Sequence, residues 1–357
     1  MTTAPRIPVF DGHNDTLLRL YRDAADAPGA FLAGSAEGAL DLPRARQGGF
    51  AGGFFAVFVP ELPGPDPLVD DLEIFDGGYA VRYAGAIDPA FAQRFAMALT
   101  ARLLRVAAAS AGQVEVVRTA GALARCIDTG VLAAVLHFEG AEPIDPDLDA
   151  LHVFYAAGLR SLGLVWSRPN AFGFGVPFRY PHSPDTGPGL TDAGRALVRA
   201  CNDLGVLIDL AHLNEQGFWD VAALSQAPLV ASHTAAHAIC PSTRNLTDRQ
   251  LDAIRDSDGL VGLNFCVSDL RPDGGLDEDT PLSLLVEHTD YLVERVGLDR
   301  VAFGSDFDGA TMPRDLTVVT GLPALLSALA AHGYDEPALR KLAHENWLRV
   351  LRQTWRE

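Results

Sequence analysis

Lysine is almost missing from this 357-residue chain: among 28 basic residues only Lys341 is a lysine, and the rest are arginine. Chemistry built on a lysine therefore has a single candidate. Positive charge is scarce altogether, since 46 acidic residues leave a net charge of −18. Phosphate backbones and anionic lipid surfaces repel such a chain, which argues against nucleic-acid and membrane-surface partners. Cysteine is rare too. Cys126, Cys201, Cys240 and Cys266 stand far apart without a CxxC spacing. A chain of this length needs no staples, so they read as free buried thiols, with a Cys240–Cys266 bridge as the alternative. There is no 18-residue apolar run, Met1–Phe10 lacks the apolar segment of a secretion signal, and Asn346–Glu357 is polar. The expected location is the cytoplasm.

A hydrophobic share of 48% and a charged share of 21% describe a folded globule rather than a disordered or fibrous chain. Short apolar runs bounded by Gly, Pro and Asp alternate with helical patterns, the signature of βα units. Strands are expected at Ile7–Asp11, Phe50–Val59, Val131–Phe138, Ser161–Trp166, Gly205–Ala211, Pro228–Ser232, Leu260–Phe265 and Arg300–Gly304. Eight parallel strands make a (β/α)₈ barrel, here one domain over 1–357. Helices are expected at Leu190–Asp203, Leu246–Arg255, Pro281–Val296 and Glu336–Arg352. Two insertions, at about 61–89 and 167–189, follow strands on the side where barrels carry their active sites.

Buried parallel strands should read as nearly continuous apolar sequence. These are interrupted at one end only: Asp11-Gly-His13-Asn-Asp15, His137-Phe-Glu139, Asp209-Leu-Ala-His212, Ser232-His233 and Ser305-Asp306-Phe-Asp308. Barrel closure would bring His13, Asp15, Glu139, His212, His233 and Asp306 around one mouth. Taken singly, each is an ordinary polar strand end; five strand ends together form a nitrogen and oxygen ligand set suited to zinc, manganese or cobalt. Six such residues exceed the three protein ligands of a usual catalytic zinc, which favours two ions. Lys341 lies in the last helix, far from any strand end, so a carboxylated lysine cannot readily bridge them. Glu139, alone at its strand end, is the natural bridge.

Together with Phe10-Asp-Gly-His-Asn-Asp15, Phe-Glu139-Gly, Leu207-Ile-Asp-Leu-Ala-His212, Arg244-Asn245 and Gly304-Ser-Asp306-Phe-Asp-Gly309, this pattern resembles the membrane (renal-type) dipeptidase family of the amidohydrolase superfamily. The resemblance spans nearly the whole chain. It implies a distorted (β/α)₈ barrel, two Zn²⁺ ions and a small dipeptide substrate, with a D-residue accepted at the C-terminal position. It also implies that His13 and Asp15 bind one zinc, His212 and His233 the other, and that Glu139 bridges them. Asp306 would be the general acid/base, and Arg244 would hold the substrate carboxylate, for which its planar fork is suited.

Two features depart from that family. Its strand-four histidine, which polarises the scissile carbonyl, is replaced by Trp166, read as a substrate-pocket residue, and its tyrosine after strand seven is missing, with Asp269 near that place. Arg168, Asn170 and His182 are candidates for a substitute donor, Asn170 among them as a substrate-binding residue. Phe172, Phe174, Phe178 and Tyr180 suggest an apolar lid or a subunit contact, which leaves room for a homodimer. The same metal set could serve a related amidase or lactamase acting on an N-acyl amino acid, or a metal-containing peptide binder without turnover.

Overall fold

A computed structural model describes residues 7–23, 26–61 and 71–356. Residues 62–70 of the first insertion and the first six residues of the N-terminal stretch lie outside these. In chain order the described strands are β1 (Val9–Asn14), β2 (Phe50–Phe58), β3 (Leu72–Phe75), β4 (Gly78–Val81), β5 (Val114–Val116), β6 (Leu132–Glu139), β7 (Leu159–Gly163), β8 (Arg179–Tyr180), β9 (Leu207–Asp209), β10 (Val230–Thr234), β11 (Leu260–Leu263) and β12 (Val301–Phe303). Eight of them follow one another as β1-β2-β6-β7-β9-β10-β11-β12, every pairing parallel, while β5 pairs outside this path with β6. The ring closes where the Asp306 N–H donates to the His13 carbonyl (3.0 Å) and the Asp15 N–H to that of Phe307 (2.8 Å). Each of the eight expected strands is present, though β7, β9 and β11 stop two or three residues short of the expected ends.

The period-2 pleat sorts side chains into two layers. Along β6, Ala133 and Val135 pack with Phe10, Phe54 and Trp347, whereas Ala134, Leu136 and Phe138 pack outward against the helices. The helices start where side-chain caps allow. The Thr191 hydroxyl accepts the Gly194 N–H ahead of Asp192–Leu204, and Thr247 with Gln250 forms a capping box ahead of Asp248–Asp256. The last expected helix is interrupted: Glu336–Arg340 passes through a π-turn at Lys341–Glu345 into Asn346–Thr354. That turn delivers Trp347, fully buried, into the barrel, where its Nε1–H donates to the Phe303 carbonyl at 2.9 Å.

The two insertions meet. β3 and β4, from the first, form an antiparallel sheet with β8 from the second, with Tyr79 opposite Tyr180. The expected cluster of aromatics therefore divides. Phe172 joins the core, Phe178 lines the mouth, and Tyr180 stacks on Tyr79 with ring centroids 6.0 Å apart. All four cysteines are free, so the alternative Cys240–Cys266 bridge does not form. Among the described residues, no helix is long and apolar enough to cross a membrane.

Candidate metal centre and active site

Alternation along β6 places His137 and Glu139 on the inner layer, with Glu139 one pleat nearer the mouth. A register shift between Asp11 and Asn14 interrupts the β1 ladder at His13, whose ring packs against those of His137 and His233. His212 and Asp306 both adopt left-handed backbone, with φ of 65° and 66°. Such geometry is uncommon outside glycine and is tolerated where surrounding structure enforces it.

The five residues predicted as metal ligands converge. His13 Nε2 lies 3.2 Å from Asp15 Oδ2 and 3.6 Å from Glu139 Oε2, while His212 Nε2 and His233 Nε2 lie 2.9 and 3.5 Å from Glu139 Oε1. Glu139 Oε2 thus faces His13, beside Asp15, and Oε1 faces His212 and His233, an arrangement compatible with two cation positions. Asp306 Oδ1 stands 4.0 Å from His13 Nε2. His137 belongs to the layer beneath. Its Nδ1 bonds the Ser161 hydroxyl at 2.9 Å, and its Nε2 finds no hydrogen-bond partner.

The donor chemistry fits cations. His212 and His233 bring their Nε2 atoms within 3.1 Å of each other, while their Nδ1 atoms each bond a serine hydroxyl at 2.8 Å, Ser167 and Ser232 respectively. Ser232 donates its own proton to Asp209, so it accepts from His233 Nδ1–H, and Nε2 is left as a lone pair facing Glu139. Burial, followed by Arg244 and His13, holds His212 and His233 well below the usual imidazole range, in the neutral form that ligates metal. Burial alone would also lower His13, but the carboxylates of Glu139, Asp15 and Asp306 outweigh it and raise that imidazole to about 10. The cluster favours positive charge at its centre.

Burial pushes Asp306 up to about 6; Asp15 adds to this, and His13 and Arg244 restrain it. Its Oδ2 accepts from Asn264 Nδ2 at 3.3 Å, and Asn264 also donates to Asp269 at 3.2 Å. Arg244 is buried, with Nη2 bonded to the His233 carbonyl at 3.2 Å, and its side chain lines the mouth. The cavity above the ligands measures about 560 Å³, within the range of small-molecule sites. Phe58, Trp166 and Phe178 form one wall, with Trp166 5.9 Å from the His212 ring between centroids.

Asn170 is not in that wall. Its amide folds its own loop, donating to the Leu164 carbonyl at 2.8 Å and accepting from the N–H of Phe172 and Gly173. The expectation that it binds substrate is corrected: the polar atoms of its side chain are used within the loop. His182 also lies outside the cavity, bonded to the Ser183 carbonyl. Arg168 lines it, held by Glu142 at 2.7 Å and the Val59 carbonyl at 2.6 Å, with its guanidinium 5.0 Å from the Trp166 ring centroid. Sequence reasoning missed Asn264 and Tyr79. Asn264 follows directly on β11, so the strand-end rule applied above could have found it. Tyr79 comes from the first insertion, where no periodic signal marks it. Burial, then the charge of Asp269, raises its phenol above its ordinary value.

The sequence model of the membrane dipeptidase family (peptidase family M19) matches residues 3–356. The crystal structure of a metallo peptidase from Rhodobacter sphaeroides, liganded with a phosphinate mimic of the dipeptide L-Ala-D-Ala, superposes with a TM-score of 0.94 at 53% identity, covering 98% of this chain and 100% of that one. An uncharacterized protein in the pqqA 5' region of Klebsiella pneumoniae is 51% identical over 255 residues, 71% of this chain and 94% of its own length. Dipeptidase tcpJ of Claviceps purpurea is 27% identical over 348 residues, 96% of this chain and 76% of its own.

Proposed function

Because the chain belongs to the membrane dipeptidase family and is in that sense a metallo-dipeptidase, we propose that it uses two zinc ions to hydrolyse small L-Xaa-D-Xaa dipeptides. The observation that carries this reading is the division of Glu139, one oxygen toward His13 and Asp15 and the other toward His212 and His233. One ion would be held by the first pair and one by the second. When bound, zinc supplies Lewis acidity and lowers the pKa of a coordinated water to about 7.

The remaining work falls to the chain. Arg244 offers its guanidinium fork to the substrate carboxylate, which fixes one end of the dipeptide. Asp306, with Oδ2 restrained by Asn264, takes a proton at Oδ1 and returns it to the leaving amine. Phe58, Trp166 and Phe178 give the dipeptide an apolar wall that shields one side of the cavity from bulk solvent. With Trp166 in place of an imidazole, Arg168 is the member of the trio Arg168, Asn170 and His182 that lines the cavity and can serve as the substitute donor. The stereochemical preference is supported by the ligand of the Rhodobacter relative, and a cytoplasmic location by four unpaired cysteines.

The test is amine release from a dipeptide library carrying L- and D-residues at the second position, with zinc-loaded enzyme and a chelated control. Chelator-sensitive turnover, highest with a D-residue second, is expected. Two bound zinc ions with no dipeptide turnover would overturn the proposal: cleavage of N-acyl amino acids would then identify an amidase, and tight dipeptide binding alone a binder.

A further inference from the structure

Asp209 and Ser232 contribute nothing to the cavity wall, yet four hydrogen bonds tie them together and to their neighbours beneath the centre. Asp209, buried at the end of β9, accepts at Oδ1 the N–H groups of Ala211 (3.1 Å) and Ser232 (2.7 Å), and at Oδ2 the Ser232 hydroxyl. We propose that Asp209, acting through Ser232, is a positioning residue that determines which ring nitrogen of His233 is offered to the metal centre. The proposal rests on the reading of His233 as a ligand.

A hydroxyl has one proton to give. Ser232 gives it to Asp209, so toward His233 Nδ1, 2.8 Å away, it can only accept. The imidazole proton is thereby held on Nδ1 and the lone pair on Nε2, which points at Glu139. A related clasp occurs across the barrel. Asp11 takes the Ser305 N–H at Oδ1 (2.6 Å) and the Ser305 hydroxyl at Oδ2 (2.9 Å), and Ser305 directly precedes Asp306. Both clasps tie one strand end to the residue before a site residue on its neighbour. Only at Asp209 does the serine hydroxyl also meet an imidazole. His212 gives the contrast: its Nδ1 bonds Ser167, and no carboxylate stands behind that hydroxyl among the described residues.

A purely structural clasp and a tautomer-setting one make different predictions for Asp209→Asn. The amide keeps the shape and still accepts both N–H groups at its oxygen. Its nitrogen, however, donates to Ser232 Oγ. The serine proton then turns toward His233 Nδ1, and the ring proton moves to Nε2, the nitrogen that should bind metal.

The experiment uses the full chain labelled with ¹⁵N-histidine. Nitrogen shifts of the zinc-free protein at pH 8 identify the His233 tautomer, and competition with a chromogenic chelator measures zinc affinity. Wild type should show Nδ1–H. Asp209→Asn should show Nε2–H, and one of its two zinc ions should bind about 10- to 100-fold more weakly. If Asp209→Asn does not fold, Ser232→Ala keeps the Ala211 and Ser232 N–H bonds to Asp209 and removes only the hydroxyl. It should give mixed tautomers and a similar loss of affinity. A folded variant of either kind with His233 still Nδ1–H and wild-type zinc affinity overturns the proposal, even if its melting temperature falls. A wild-type chain that binds no zinc would instead defeat the metal reading, and the tautomer shift would still decide the role of Asp209.

Discussion

Gly12→Ala tests whether the barrel packing itself aligns the centre. A Cβ at Gly12 would lie 2.4 Å from the Ser232 carbonyl oxygen and 2.5 Å from Trp347 Cζ2. Ordinary contact begins near 3.4 Å, so the strands must separate by about 1 Å, and neither neighbour is a flexible side-chain tip. One is the backbone of β10 beside His233, and the other is a fully buried indole. Overpacking of this kind costs about 1–3 kcal/mol. Because the displaced segment carries Ser232 and His233 on one side and His13 on the other, a 1 Å error should reduce kcat/KM by about 100-fold. Thermal melting, bound-metal analysis and dipeptide turnover would be read in parallel. Gly85→Ala serves as the control, since a Cβ there meets nothing within 4 Å. Wild-type melting and turnover in Gly12→Ala would refute the reasoning.

Three further outcomes are expected. Asp306→Asn should retain both metals while losing turnover, and full activity in that variant would move proton transfer elsewhere. Arg244→Lys should raise KM about 10- to 100-fold for dipeptides with a free carboxylate and far less for C-terminally amidated ones; equal effects would remove Arg244 from carboxylate binding. His288 supplies a pH prediction away from the metal. Burial lowers its imidazole from 6.5 to about 4, where Nδ1 accepts the Ala236 N–H and Nε2–H donates to the Leu270 carbonyl. Because the folded pKa lies below the unfolded one, its contribution is complete above pH 6.5 and is lost as pH falls toward 4, by about 3 kcal/mol in total. His288→Gln should flatten that part of the stability profile, which denaturant titrations at pH 7 and pH 4.5 would measure; an unchanged slope would exclude the assignment.

Much of the barrel was legible because its signals are local. A nearly continuous apolar run such as Leu132–Leu136 is what a strand buried on both faces of a parallel sheet reads like, and Thr191 and Thr247 mark helix starts by the chemistry of their hydroxyls. The residues that converge at the mouth were legible for a related reason: an ionisable residue at the end of a buried strand is conspicuous against its neighbours. Asn170 misled because a polar residue in an active-site loop looks the same whether its amide faces substrate or folds the loop. Tyr79 was invisible because its place depends on β4 pairing with β8, about a hundred residues away, and a two-residue strand leaves no periodicity to read.

From the residues alone came the eight barrel strands and their direction, the end of the barrel that carries the ionisable residues, and the donor types gathered there. These follow from composition and period, which act over a few residues at a time. Only the folded chain decided how the centre is aimed: which Glu139 oxygen faces which pair, that His137 drops to the layer below, that Ser232 hands its proton to Asp209, and that Trp347 and Gly12 set the spacing between β1 and β10. Those are contacts between segments far apart in sequence, and their geometry is fixed by side-chain packing and hydrogen-bond direction, neither of which a one-dimensional pattern encodes.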